Sequence, residues 1–228
     1  MARKRTATWG IEPPQLTKSL PVAIPSQSFV DQASYSECSL LDCDWSNANA
    51  NDVLLDRVVG QNINLHTARL KLAQLLDVRF ERGDWSGSIW EKAHIQRGEW
   101  LHCRMVGVHW NEASFENMLW RQCNGELARF WSATFKATRF DQCVLREASF
   151  ESCNLAGVVF HHCDLSNADF RGAKLHGADF RSSIISGMQV GIKELQGAII
   201  APQQAVQLAS LLGVVVKDAD EEQADSRR

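Results

Sequence analysis

Seven cysteines and seven histidines are the residues of this chain best equipped for chemistry. Thiolates and imidazoles bind zinc, and a cysteine held by a histidine is an activated nucleophile. His102–Cys103 and His162–Cys163 are sequence neighbours, and Cys103, Cys123, Cys143 and Cys163 recur every twenty residues. The spacing argues against both chemistries. All the cysteines, Cys38, Cys43, Cys103, Cys123, Cys143, Cys153 and Cys163, stand three residues past a multiple of five. The histidines (His66, His94, His102, His109, His161, His162 and His176) all avoid that column. If the cysteine column is buried, each neighbouring His and Cys points to opposite sides of the chain. Thiols in a straight line cannot surround a metal tetrahedrally. No C-x-x-C, H-E-x-x-H, G-x-S-x-G or P-loop pattern occurs. The expectation is a protein without catalytic residues, metal or cofactor.

What positions these residues is a period of five. From residue 35 to 200 every multiple of five forms one apolar column of 34 positions, broken only by Gly60 and Gly125. Two residues earlier runs a second column, small or apolar, that holds all the cysteines. Lys193 is the only charged residue in either column, although 22% of the chain is charged. Five matches neither a helix nor a flat strand. It suits a chain that takes a short extended step, buries two residues and turns a corner, so four steps close a square coil of twenty.

Two observations support closure at twenty. From Phe80 to Phe180 every multiple of ten is aromatic, which places two ladders on opposite faces. The residues just after each centre give the pairs Lys71/Glu91, Glu116/Lys136, Arg121/Asp141, Glu126/Arg146 and Glu151/Arg171, all of opposite sign. Exposed pairs of this kind contribute only ~0–1 kcal/mol each, so they report register more than stability.

These columns resemble the pentapeptide-repeat family, whose consensus is A-(N/D)-L-x-x. Cys153-Asn154-Leu155, Cys163-Asp164-Leu165, Ala168-Asp169-Phe170 and Ala178-Asp179-Phe180 match it most closely. The resemblance spans about residues 28–200 and implies an all-β solenoid, a right-handed quadrilateral parallel β-helix of about eight coils.

Outside the repeats, residues 1–27 contain Pro13, Pro14, Pro21 and Pro25 and read as an extended arm. Residues 201–216 read as a helix and a short strand, Val214–Val216. Pro202 suits a first helical turn, and Ala205, Leu208, Ala209 and Leu212 make an apolar stripe. That stripe either caps the open end of the solenoid or forms a homodimer contact. Residues 217–228 read as a disordered tail.

A net charge of −3 and 45% apolar residues exclude a disordered chain and a strongly charged binder of nucleic acid or membrane. No signal-peptide or membrane-spanning run is present, and seven unpaired cysteines do not form a secreted disulfide framework. A cytoplasmic location is expected.

Function is therefore expected to be non-enzymatic, as a protein–protein interaction scaffold. The resemblance offers an alternative, because its Qnr-like subgroup protects DNA gyrase by mimicking duplex DNA. Those rods are strongly acidic, whereas residues 31–190 hold 20 acids and 16 bases. One segment favours mimicry: Asp31, Glu37, Asp42, Asp44, Asp52 and Asp56 lie within residues 31–56 without a base. Trp131, one residue past a centre, should point outward as a contact anchor.

Overall fold

The computed structural model describes residues 10–23, 29–209, 211 and 214–215. Its repeat unit is visible in one coil. Asp44 pairs with Asn64, Asn49 with Arg69, Leu54 with Gln74 and Val59 with Arg79, all parallel and all offset by twenty. Four ladders five residues apart mean four walls. The ladder through Asp44, Asn64, Asp84, Arg104, Asn124, Val144, Asp164 and Ile184 counts eight rungs.

Two adjoining walls carry the long strands β1 (Ser34–Leu41), β3 (Leu54–Gln61), β5 (Gln74–Glu81), β7 (His94–Leu101), β9 (Ser114–Arg121) and β10 (Thr134–Asp141), which end on β11 (Val159–His161). A third wall carries β2 (Asn49–Asn51), β4 (Arg69–Lys71), β6 (Ile89–Glu91) and β8 (His109–Asn111). Isolated bridges form the fourth.

The corners explain how five residues can turn the chain. The residue two past each centre adopts a left-handed backbone, with φ of 47° to 60° at non-glycine positions from Gln32 to Asn167. Such a residue costs roughly 1–2 kcal/mol unless it is Gly, Asn or Asp, yet Leu72 and Leu127 accept it at 59°. Rung-to-rung bonds offset this, as when Trp45 N–H donates to Asn64 O (2.8 Å) and Asn64 N–H to Cys43 O (2.9 Å). Every coil needs its amides, which is why proline is missing from residues 26–201.

The interior is filled by the two columns. Trp100 stacks on Trp120 (5.0 Å), Phe140 on Phe160 (5.2 Å) and Phe160 on Phe180 (5.1 Å). On the opposite wall Trp90 stacks on Trp110 (4.8 Å) and Phe130 on Phe150 (4.9 Å). The ladders meet edge to face, as at Phe150–Phe160 (5.7 Å). Trp85, Phe115 and Phe135 add rings from the intervening walls. Small residues make room: a Cβ on Gly98 would fall 2.5 Å from the Trp100 ring.

The ends differ. At the start Phe29, 4% exposed, stacks on Trp45 (4.1 Å) and closes the first coil. At the far end α1 (Pro202–Ala209) is anchored by a buried polar side chain, and Leu208 packs half-buried against the core. Gln204, 6% exposed, donates Nε2 to Phe180 O (2.8 Å) and Ser183 O (2.7 Å), and its Oε1 accepts from Ala201 N–H (2.8 Å). Val214 and Val215 are exposed and form no strand, because the rungs end at Ile199 and Val214 N–H turns back to Ala209 O (3.4 Å). Leu212, Gly213, Val216 and the tail 217–228 lie outside the described residues.

Candidate interaction surfaces

Coil position decides where each candidate side chain sits. The six acids of residues 31–56 do not form one face. Asp42 and Asp44 flank one corner, while Asp31 and Asp52 lie across the coil from them; all four are exposed. Glu37 and Asp56 fall beside a third corner, where Arg57 binds both at 2.8 Å. The base that breaks the acidic segment is one residue past its end. Three of the others are engaged locally. Asp31 accepts from Asn51 N–H (2.8 Å), Asp42 from Asn62 Nδ2 (2.8 Å), and Asp44 from Ser46 N–H (3.0 Å) and Asn64 Nδ2 (2.9 Å). The Ser46 bonds, with the one from Asn64, hold the Asp44 carboxyl below its ordinary range.

Four of the five ion pairs expected at twenty-residue spacing close: Lys136–Glu116 (2.6 Å), Arg121–Asp141 (2.9 Å), Lys71–Glu91 (3.3 Å) and Arg146–Glu126 (3.6 Å). Arg171 instead turns back within its own coil to Asp169 (2.6 Å). Sequence reasoning missed the pairs in other columns, such as Arg79–Glu99 (2.7 Å) and Arg97–Asp77 (2.6 Å), which obey the same offset.

Asp141, 7% exposed, is the carboxylate of this network held by three side chains. It accepts from His161 Nδ1 (2.7 Å), Arg121 Nε (2.9 Å) and Arg139 Nη2 (3.4 Å), and Arg139 is only 2% exposed. Burial works to raise its pKa, but the bonds from His161 and Arg121 prevail and lower it. No cluster of three or more metal-ligating side chains occurs among the described residues.

All seven cysteines are buried as free thiols, and burial pushes Cys153 up to about 12. Cys123 donates to Trp100 O (3.3 Å) and Cys143 to Trp120 O (3.4 Å), so these thiols serve as core residues. None of the histidines is buried.

Trp131 does project outward, 48% exposed. It sits on a broad concavity of about 810 Å³ on the β2–β4–β6–β8 wall beyond β8, among His109, Asn111, Arg129, Glu147, Glu151 and Arg171. Burial, with Arg129 nearby, lowers the His109 pKa, so it adds no charge at neutral pH. Arg129 and Arg171 oppose Glu147, Glu151 and Asp169, leaving a mixed polar rim around one indole. At the C-terminal end Ala205 is exposed and Leu208 and Ala209 are half-buried. With Ile192, Leu195 and Leu211 they line an apolar groove of about 310 Å³.

The fold is that of a repeat scaffold, a four-walled parallel β-solenoid with a filled interior. Residues 143–181 match the family model for pentapeptide repeats, in eight copies. Residues 143–181 are thus pentapeptide repeats, and the same register continues through the rungs on either side of the match. Among curated proteins none matches the chain. Solved structures similar to it include full-length QnrB1, a plasmid-mediated fluoroquinolone resistance protein, at 20% identity. That similarity covers 82% of this chain and 100% of that one, with a TM-score of 0.45. HetL, involved in heterocyst differentiation regulation in the cyanobacterium Nostoc, is 17% identical over 75% of this chain and 90% of its own (TM-score 0.32). No helix among the described residues is long and apolar enough to cross a membrane.

Proposed function

We propose that this protein is a non-enzymatic scaffold that docks a protein partner on the wall around Trp131. The observation that carries this reading is the half-exposed indole lining a concave wall with a mixed-charge rim. Tryptophan is enriched at interface hot spots, where truncation commonly costs ~2 kcal/mol or more. The test is affinity capture from the native host by wild type and by Trp131→Ala. Wild type should retain a partner that the variant binds at least about thirty-fold more weakly, as that energy implies. Equal retention by both would reject the wall as the docking surface.

A second reading is protection of a topoisomerase such as DNA gyrase through mimicry of DNA. It draws on the exposed carboxylates Asp31, Asp42, Asp44 and Asp52 at the first coils. Binding would then weaken steeply with salt, and reversing Asp42, Asp44 and Asp52 to Lys would abolish protection of supercoiling from a quinolone. Their spread around the coil, and the pairing of Glu37 and Asp56 with Arg57, weigh against this reading.

The C-terminal groove suits either an end cap or a homodimer contact. Ala205→Arg separates the two, since Ala205 is exposed. A dimer in sedimentation would become a monomer, whereas a cap would leave the mass unchanged.

A further inference from the structure

The segment 10–23 lies outside the repeats yet is fitted to them. Glu12 N–H donates to Asn117 Oδ1 (3.1 Å) and Gln15 N–H to Asp77 Oδ1 (2.8 Å). Val22 then bridges to Ser39, with Ser39 N–H donating to Pro21 O (2.8 Å) and Ala23 N–H to Ser39 O (2.9 Å). Asn117, Asp77 and Ser39 descend the stack two coils at a time, so the arm runs along the rod axis until it turns to pair parallel with β1 at Val22.

The dimensions match an extended peptide. Two coils span about 9.6 Å, and the three steps from Glu12 to Gln15 reach about 10 Å when extended. Pro13 and Pro14 hold that stretch extended before it docks. Ile11, Pro14, Leu16 and Leu20 are half-buried, whereas Glu12, Gln15, Thr17 and Lys18 are exposed.

The rod side is built to receive it. Asp77 and Asn117, 3% and 9% exposed, occupy one corner column two coils apart. Between them Arg97 grips Asp77 through Nε (2.6 Å) and Nη2 (2.8 Å), fixing its carboxylate toward the arm. The Glu12 carboxylate lies near Arg97 and Lys136 and helps keep both charged. The corner thus offers two acceptors that read main-chain N–H groups three residues apart, with cations for an acidic side chain.

We propose that this corner is a peptide-docking groove filled in cis by the arm, which acts as a strap. A partner's extended, proline-containing segment takes the arm's place only when the strap lifts. This surface is separate from the Trp131 wall and does not depend on it.

The test uses the full chain with Glu12→Pro and Gln15→Pro, which deletes both donated N–H groups and leaves the rod untouched. Hydrogen exchange across residues 10–23 should quicken at least tenfold, while residues 35–180 stay protected. A labelled synthetic peptide of residues 10–23 should bind this variant at micromolar concentration, and adding Asp77→Ala should abolish that binding. Wild type should not bind the peptide, because a tethered arm competes at an effective concentration on the order of millimolar. Unchanged exchange in the variant would overturn the strap. A released arm with no peptide binding would overturn the groove.

Discussion

Gly60 occupies a centre position flanked one coil away by Leu40 and Phe80, so the repeat pattern alone suggests that Leu would suit it better. Packing reverses that inference. A Cβ on Gly60 would sit 2.5 Å from Phe80 Cδ1 and 2.9 Å from Ile63 Cγ1, because the Phe80 ring fills the space that glycine leaves. Gly60→Ala should therefore cost ~1–3 kcal/mol in denaturant melts, as overpacking does. An unchanged midpoint would mean that Phe80 does not lean into that coil. Asp141 gives a second test at this scale. Its folded pKa is lowered, so its contribution is present above the ordinary carboxylate pKa and is lost as pH falls through the lower folded value. Asp141→Asn should cost ~2–3 kcal/mol at pH 7, the size expected for hydrogen bonds to a charged group. The variant should also lose less stability than wild type between pH 5 and pH 2.

Each wall is one ladder, and ladders make stability a matter of neighbours above and below. Phe130 stacks on Phe150 at 4.9 Å and 4°, and meets Phe115 and Phe135 edge to face. Phe130→Ala should cost ~3–5 kcal/mol, the range for truncating a buried aromatic. A loss below ~1 kcal/mol would place the ring outside the core. The ladders were legible in sequence because each inward position obeys the period. Outward contacts were only partly legible. Lys71/Glu91 could be found by the same offset, but Arg57 pairs with Glu37 and Asp56 from beyond a window chosen by composition. The corner column, with Asp42, Asn47, Asp52 and Asn62, did carry a signal for left-handed backbone in its Asn and Asp content.

At the scale of the whole molecule, the arm was the least legible part. It has no period, and its path is set by two backbone amides meeting side chains 62 and 105 residues away. The C-terminal helix was legible as an element, but its polar anchor was not: Gln204 is bonded to the Phe180 and Ser183 carbonyls of the final repeats. Every surface described above depends on one claim, that the chain closes a coil each twenty residues from the first repeat to the last. Electron–electron distance measurement tests it directly. Asp42 and His162 are exposed and six coils apart on one corner, so nitroxides on Asp42→Cys and His162→Cys should lie about 29 Å apart. The native thiols are buried, so only the two introduced cysteines should take label. A single narrow distribution near that value, with two labels per chain, is the predicted result. A distance differing by more than the label's own reach, or labelling of the native cysteines in the folded protein, would contradict the twenty-residue coil.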